Sequence, residues 1–228
     1  MSTRTAYEDP SHLDGAHDLP ANVNDVTVTI RHPGYDDNCN ILMLLPGLDD
    51  VDGAIDYDTA LAACGIAADN NWEGFFTLDQ AGRHRVVRPA DGLLREKDCY
   101  FHVPGIYPIV PSFRDWQFPR SLPSPWKECT VSPAPAHRIP REVTLTEAVL
   151  ARDISCRLTN HIEGTENAHL IPRTEKKWFD RNAMARFAQI SCAGVDAINV
   201  PRNAIALRSD IHTLFDNKRF VIAPKQSP

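Results

Sequence analysis

In the first half of the chain, apolar and polar residues alternate over short stretches bounded by glycine, proline or Asp-Gly. Residues 26–30 read Val-Thr-Val-Thr-Ile, and this period of two predicts a half-buried strand. Four more short runs of apolar, β-branched or aromatic residues predict strands, at 41–45, 73–78, 84–88 and 99–103. A short helix is predicted over residues 56–64, since Gly65 follows it. We therefore expect a β-rich N-terminal domain at residues 22–118.

Two stretches lack such patterns. Residues 1–21 are polar and aperiodic, which predicts a flexible arm. Residues 104–140 contain nine of the 18 prolines, and regular structure cannot pass through so many missing N–H donors. Trp116 and Phe118 lie in the same stretch, so we interpret it as an extended strap on the protein surface that leads into a Pro-rich connector at 119–142. Peptide recognition by the prolines is the less favoured alternative.

In the last third of the chain, apolar residues recur at helical spacing. Residues 143–154 predict an amphipathic helix with Thr144 or Thr146 near its start. Residues 174–190 predict a longer helix, with Thr174 as its N-cap.

A strand and a short helix are predicted further along. The apolar run at 204–207 is typical of a strand, and Ser209 is the expected N-cap of a helix whose apolar stripe begins at Ile211. Residues 219–224 predict one more strand. We place the C-terminal domain at 143–228, and the predicted fold class is α+β.

Composition places the chain among ordinary globular proteins, with 43% hydrophobic and 24% charged residues. The longest apolar runs are far too short to cross a bilayer, and no secretory signal follows the N-terminus, so we expect an intracellular protein of the cytoplasm or nucleus without a membrane partner. No two of the six cysteines lie closer than 25 positions, which excludes a Cys-x-x-Cys knuckle and favours reduced, buried thiols.

The net charge of −6 is unevenly distributed. Residues 141–228 carry 13 Lys and Arg against 10 Asp and Glu, whereas residues 1–140 carry 11 against 20. A weakly basic C-terminal module therefore follows an acidic N-terminal one. This balance permits nucleic-acid binding but does not by itself establish it.

Polar residues that can carry chemistry stand at the edges of the apolar segments of the last third. His169 lies in the run Ala-His-Leu-Ile-Pro, and Asn203 stands before the strand at 204–207. His212 and Asp216 are one helical turn apart, so an imidazole and a carboxylate could share a divalent ion. Each residue alone also has a structural interpretation, as a hydrogen-bonded histidine or a turn-forming asparagine.

The order of these residues resembles the HNH endonuclease superfamily. The matching text is Ala-His-Leu-Ile-Pro at 168–172, then Asn203, then His-Thr-Leu-Phe-Asp at 212–216, with Cys-Arg-Leu-Thr at 156–159 ahead of them. The resemblance covers roughly residues 155–225 and implies a ββα-metal (HNH, or His-Me finger) domain with helical additions. The preceding part of the chain resembles the N-terminal region that accompanies this module in many fungal proteins, and it carries no known function with it.

The resemblance implies a metal-dependent endonuclease that hydrolyses phosphodiester bonds of nucleic acid, DNA rather than RNA. His169 would be the general base, and Asn203 would hold the loop and orient the His169 ring. His212 would ligate a divalent ion with Asp216 as second ligand, Mg²⁺ or Mn²⁺ in preference to Zn²⁺ or Ni²⁺. Four cations nearby could hold the phosphate backbone, namely Arg173, Lys176, Lys177 and Arg208.

One departure from the HNH pattern favours an alternative function. Many HNH nucleases carry Asp or His as a metal ligand directly before the base, but this chain has Ala168, which leaves the ion to Asp216, Glu166, Asp210 or water. A repurposed or degenerate HNH scaffold could instead act on a small molecule in a pocket between the halves, as a biosynthetic enzyme, or bind a protein partner. Substrate preference and oligomeric state stay open.

Overall fold

The computed structural model describes residues 26–123, 126, 144–188 and 196–223. The predicted arm and most of the predicted connector lie outside these residues. The chain divides into two compact units, with the boundary between Ile109 and Val110. The sequence placed this boundary at residue 118.

The N-terminal unit combines short strands with a helix. Over its described residues the elements are β1 (Thr27–Arg31), β2 (Ile41–Pro46), β3 (Ile55–Asp56), α1 (Tyr57–Ala67), β4 (Phe75–Thr77), β5 (Leu93–Leu94) and β6 (Asp98–His102). One sheet has the order β2-β1-β6-β4, in which β1 and β6 are parallel and the outer pairs antiparallel. Strands β3 and β5 form a second, antiparallel pair.

Alternation in β1 produces the core of this unit, because Val28 and Ile30 are completely buried. They pack with Phe76, Leu94 and Phe101. The predicted strands at 26–30, 41–45, 73–78 and 99–103 and the predicted helix at 56–64 are therefore present with shifted ends.

The prediction of a strand at 84–88 is wrong. Apart from one bridge between Thr77 and Arg85, these residues form no strand. The Asp79 carboxylate accepts the backbone N–H groups of Arg83 and His84 at 3.3 and 2.7 Å, and these hydrogen bonds close a turn where the extended chain was expected.

A buried imidazole, that of His32, and a partly buried one, that of His102, are an unusual feature of this unit. The Nδ1 atom of His32 accepts the Gly34 N–H at 2.9 Å, so its proton resides on Nε2. Among the described residues, neither this Nε2, the Nε2 of His102 nor the hydroxyl of Tyr107 has a hydrogen-bond partner. Burial lowers the pKa of both histidines, and the mutual repulsion of the two rings lowers that of His32 further.

This pair predicts acid sensitivity. The unfolded chain takes up protons as the pH falls through about 6.5, but the folded histidines do so only at lower pH, so stability is complete above that value and declines below it. Thermal unfolding of the full chain should give a lower midpoint at pH 5.5 than at pH 7.5. The dependence should weaken in His32→Asn and persist in His84→Ala, whose side chain is exposed. Equal midpoints at both pH values would contradict this expectation.

The C-terminal unit is built around an antiparallel pair of strands. Its described elements are α2 (Leu145–Asp153), β7 (Thr165–His169), α3 (Lys176–Arg181), α4 (Ala185–Ala188), β8 (Ala204–Arg208) and α5 (Ser209–Asp216), with 3₁₀ turns at Arg173–Glu175, Ala197–Asn199 and Pro201–Asn203. Helix α2 begins with a capping box between Thr144 and Glu147. It covers one face of β8 through Val149, while α5 covers the other face through Ile211 and Phe215.

The long helix predicted at 174–190 is interrupted. After a 3₁₀ turn, α3 begins at Lys176, and it ends in a Schellman motif in which Met184 N–H donates to Phe179 O. Ala183 takes the left-handed conformation there, with φ of 51°. Thr174 is therefore not the N-cap, and residues 189–190 lie outside the described part.

Two predictions near the C-terminus, the N-cap at Ser209 and the strand that begins at residue 219, are wrong. Ser209 is the first residue of α5, and Arg208 occupies the N-cap position. Residues 219–223 contain no strand.

The start of the Pro-rich stretch packs on α3. Trp116 stacks on Trp178 with ring centroids 5.8 Å apart, and its carbonyl accepts the indole N–H of Trp178 at 2.6 Å. Phe118 N–H donates to Asn182 Oδ1 at 2.7 Å. These contacts explain why residues 110–118 cluster with the C-terminal unit rather than the N-terminal one.

An ion pair at the end of α2 holds the outer edge of β8. The buried carboxylate of Asp153 accepts the Ala206 N–H at 2.8 Å and pairs with Arg152 at 2.6 Å. Arg152 in turn donates to the carbonyls of Ala204 and Pro201. Burial alone would raise the pKa of Asp153, but hydrogen bonds from Arg152 and Ala206 outweigh it, so the pKa lies below its usual range.

Removing this carboxylate should destabilise the unit strongly. Asp153→Ala leaves a guanidinium and a backbone N–H without their partner, at a cost of about 3 kcal/mol in the free energy of unfolding. Urea denaturation of the full chain at pH 7 measures this loss. The matched control Asp180→Ala removes an exposed partner of Lys176 and should cost below about 0.5 kcal/mol. Similar losses in both variants would show that Asp153 is not a structural anchor.

The described residues form a mixed α+β protein, as predicted. None of their helices is both long and apolar enough to cross a membrane. Four cysteines are described, of which Cys64, Cys99 and Cys156 are buried and Cys39 is exposed, all as free thiols.

Candidate functional site

His169 ends strand β7 and is half-buried. Its Nε2 atom lies 3.3 Å from Oδ1 of Asn199, the last residue of a 3₁₀ turn. With the amide oxygen as acceptor, Nε2 carries the ring proton and Nδ1 keeps a lone pair. The ring thus has one nitrogen that can accept a proton.

The surroundings of His169 hold its pKa below the usual 6.5. Burial of the ring is the main cause, and the positive charge of Arg173 and the nearby imidazole of His212 act in the same direction. The hydrogen bond to Asn199 and the charge of Asp216 oppose them. An imidazole with such a pKa is neutral at pH 7, which is the form that a general base requires.

Asn203 is buried and holds the chain on both sides of the site. Its Oδ1 accepts the Ile171 N–H at 2.9 Å, and its Nδ2 donates to the carbonyls of Ile171 and Ile198 at 3.0 and 2.9 Å. These contacts join the exit of β7 to the 3₁₀ turn at Ala197–Asn199. The hydrogen bond expected from Asn203 to the His169 ring is provided by Asn199 instead.

His212 lies on α5 between two carboxylates. Its Nδ1 is 2.9 Å from Oε2 of Glu166 on β7, and its Nε2 is 3.4 Å from Oδ2 of Asp216. The stacking of His212 and Asp216 one helical turn apart is therefore present, and β7 adds a second carboxylate, that of Glu166.

The four cations expected to hold phosphate differ in their surroundings. Lys176 lies 2.7 Å from Asp180 and 3.4 Å from Asp196. Arg208 donates two 2.7 Å hydrogen bonds to the Asp210 carboxylate. These hydrogen bonds are the main reason why the pKa of Asp210 is lowered to about 2. Arg173 and Lys177 are exposed, and no carboxylate of the described residues pairs with either.

The Cys-Arg-Leu-Thr stretch forms the turn ahead of β7, and its thiol is buried. Burial would raise the pKa of Cys156, but hydrogen bonds from the Thr159 side chain and from the N–H groups of Arg208, Leu158 and Thr159 outweigh it and bring the pKa to about 7. The sulfur thereby connects this turn to the junction of β8 and α5.

The fit of a divalent ion can be judged from the donor atoms. Two ligands that bind one ion at about 2.1 Å lie about 3.0–3.4 Å apart. His212 Nε2 and Asp216 Oδ2 are 3.4 Å apart, so this pair fits such an ion. No group of three His, Cys, Asp or Glu side chains in the described ranges is arranged to hold a metal. An ion held by His212 and Asp216 would therefore have two protein ligands among these residues, and water or substrate oxygen would complete its coordination.

Residues 155–223 match a family model whose description is HNH endonuclease. This match confirms the resemblance to the HNH endonuclease superfamily that the sequence indicates for this part of the chain. The match includes β7, β8 and α5 with His169, Asn203 and His212, and it indicates a nuclease-type domain. A search of the curated proteins finds no significant match for the chain, and a search of the solved structures finds none either.

Sequence reasoning missed Asn199 and gave Glu166 only as a substitute metal ligand. Asn199 lies two residues before Pro201. Asparagine at such a position indicates a turn, but the sequence does not indicate which side chain it contacts. The position of Glu166 follows from strand register, since it pairs with Leu207, next to the start of α5. Register between β7 and β8 is the signal that could have found it.

The contact between Asn199 and His169 predicts a titration effect. Its hydrogen bond raises the pKa of His169, so Asn199→Ala should lower that pKa further. Nuclear magnetic resonance of the His169 ring across pH 4–8 measures this change. The control Asn167→Ala removes an amide of β7 that bonds to Thr146 and should leave the His169 titration unchanged. An unchanged or raised pKa in Asn199→Ala would contradict the assigned contact.

Proposed function

We propose that the C-terminal unit is a metal-dependent HNH endonuclease that hydrolyses phosphodiester bonds. The observation that carries the proposal is the juxtaposition, within the HNH match, of a neutral His169 and the His212–Asp216 pair. Strands β7 and β8 with helix α5 correspond to the ββα-metal motif of this superfamily. The helices α2, α3 and α4 are the additions to it.

His169 acts as the general base. Its unprotonated nitrogen takes a proton from a water molecule as the water oxygen forms a bond to phosphorus. The bond from phosphorus to the 3′-oxygen breaks, and the departing oxygen takes a proton from solvent. Asn199 keeps the His169 ring in place, and Asn203 fixes the turn that carries Asn199.

His212 and Asp216 would hold the divalent ion, Mg²⁺ or Mn²⁺ rather than Zn²⁺ or Ni²⁺, because carboxylate and water ligands suit the harder ions. When bound, the ion supplies positive charge to the phosphate oxygens and the leaving group. Because Ala168 cannot ligate a metal, the ion would have two protein ligands, and we expect it to bind weakly.

Arg173 is the side chain best placed to contact the phosphate backbone. It is exposed, lies within electrostatic range of His169, and has no carboxylate partner among the described residues. Lys176 and Arg208 would first have to leave Asp180, Asp196 or Asp210. We therefore expect modest, salt-sensitive binding of nucleic acid, with DNA as the favoured substrate.

A repurposed scaffold is the second candidate. Two observations favour it, namely the buried Ala168 at a ligand position and the neutralisation of Lys176 and Arg208 by carboxylates. Such a protein would act on a small molecule, as a biosynthetic enzyme, or bind a protein partner.

Cleavage assays separate the two candidates. Plasmid and single-stranded DNA are incubated with Mg²⁺, Mn²⁺, Ni²⁺ or Zn²⁺ and with the wild type, His169→Ala or His212→Ala. We expect cleavage by the wild type and a decrease in rate of at least about 100-fold in both variants, since proton transfer alone contributes about 10²–10⁴.

The matched control is His161→Ala, which removes an exposed histidine of the same unit whose backbone carbonyl accepts the Cys156 N–H. It should cleave at the rate of the wild type. Equal background rates in all four proteins would exclude the nuclease and favour the repurposed scaffold.

A further inference from the structure

Glu166 is the second carboxylate that contacts His212, beside Asp216. It lies on β7 two residues before Ala168, so both belong to the same face of the strand, the one that α5 covers. Its carboxylate accepts a hydrogen bond from His212 Nδ1 at 2.9 Å. The side chain of Glu166 is 55% exposed, and an ion pair that exposed contributes little to stability. Its contact with His212 therefore needs another explanation than folding.

The geometry of the ring separates the two carboxylates. The two nitrogens of an imidazole point in divergent directions, so Glu166 at Nδ1 and Asp216 at Nε2 lie on different sides of His212. One ion cannot contact both carboxylates and the ring together, in agreement with the lack of a three-residue metal group among the described residues. Glu166 is consequently placed as a partner of the ligand and not as a ligand.

We propose that Glu166 is a positioning residue that presents Nε2 of His212 to the divalent ion. By accepting the proton of Nδ1 in a hydrogen bond, it fixes the tautomer in which Nε2 keeps its lone pair, on the side of Asp216. It also fixes the rotation of the ring. This inference rests on the proposed metal-dependent function of the site.

The role of Glu166 explains how a site without a ligand at Ala168 can still bind an ion. With two protein ligands, affinity depends on how well each is oriented before the ion arrives. Partners of this kind typically contribute 10–100-fold to metal affinity. Glu166 thus compensates through orientation for a ligand that the strand does not supply.

The test uses the full-length protein and Mn²⁺ alone, without nucleic acid. Isothermal titration calorimetry measures the dissociation constant of Mn²⁺ for the wild type, Glu166→Ala, Glu166→Gln and the control Glu163→Ala, an exposed carboxylate in the turn before β7. Nitrogen-15 spectra of the His212 ring in metal-free protein report which ring nitrogen carries the proton.

We expect Glu166→Ala to weaken Mn²⁺ binding on the order of 10–100-fold and to mix the two tautomers of His212. Glu166→Gln keeps an acceptor oxygen, so it should keep the tautomer and lose less affinity, whereas Glu163→Ala should match the wild type. A loss in Glu166→Gln as large as in Glu166→Ala, with an unchanged tautomer in both, would identify a direct ligand and overturn the proposal.

Two further outcomes separate this inference from the proposed function. If the wild type binds Mn²⁺ and Glu166→Ala binds it equally well, the positioning role is excluded while the metal site stands. If the wild type binds neither Mn²⁺ nor Mg²⁺ at millimolar concentration, the metal-dependent function fails, and the role of Glu166 fails with it.

Discussion

The candidate site depends on the buried amide of Asn203. Its amide oxygen and nitrogen form hydrogen bonds to the backbone of Ile171, which follows β7, and the nitrogen also donates to the carbonyl of Ile198 in the 3₁₀ turn that ends at Asn199. A buried amide with these partners satisfied is stable, whereas an unpaired one is costly, so this residue selects one conformation for two otherwise irregular segments. Because His169 lies on one segment and its partner Asn199 on the other, the geometry of the base follows from the same contacts.

The second organising feature is that one face of the β7–β8 pair makes only structural contacts, whereas the other face carries the helix of the candidate site. On one face, α2 buries Val149 against Ala204 and Ala206, which is a purely structural contact. On the other face, α5 buries Ile211 and Phe215 and leaves His212 at the edge of that contact. A helix of eight residues is thereby positioned by its apolar side well enough for its polar side to form a defined site.

Much of this arrangement could be predicted from the sequence, and the reasons for the exceptions are physical. Period-two alternation gave β1, and the order of histidine and asparagine gave the superfamily. The helix at 174–190 was overestimated, because a left-handed Ala183 leaves no mark in an apolar pattern. Asn199 was missed, and Glu166 was given only as a substitute metal ligand, because tertiary contacts define their roles: Asn199 depends on a loop conformation and Glu166 on strand register. Local sequence periodicity contains neither.

The ion pair at the end of α2 has a consequence for association between chains. A sheet of two strands exposes backbone groups along its outer edges, and such edges invite pairing with other chains. Along β8, the Asp153 carboxylate accepts the Ala206 N–H, and the Arg152 guanidinium donates to the Ala204 carbonyl. The Arg157 N–H donates to the Ala206 carbonyl. This edge is therefore closed to strand addition, and the small sheet is protected against growth into aggregates along β8.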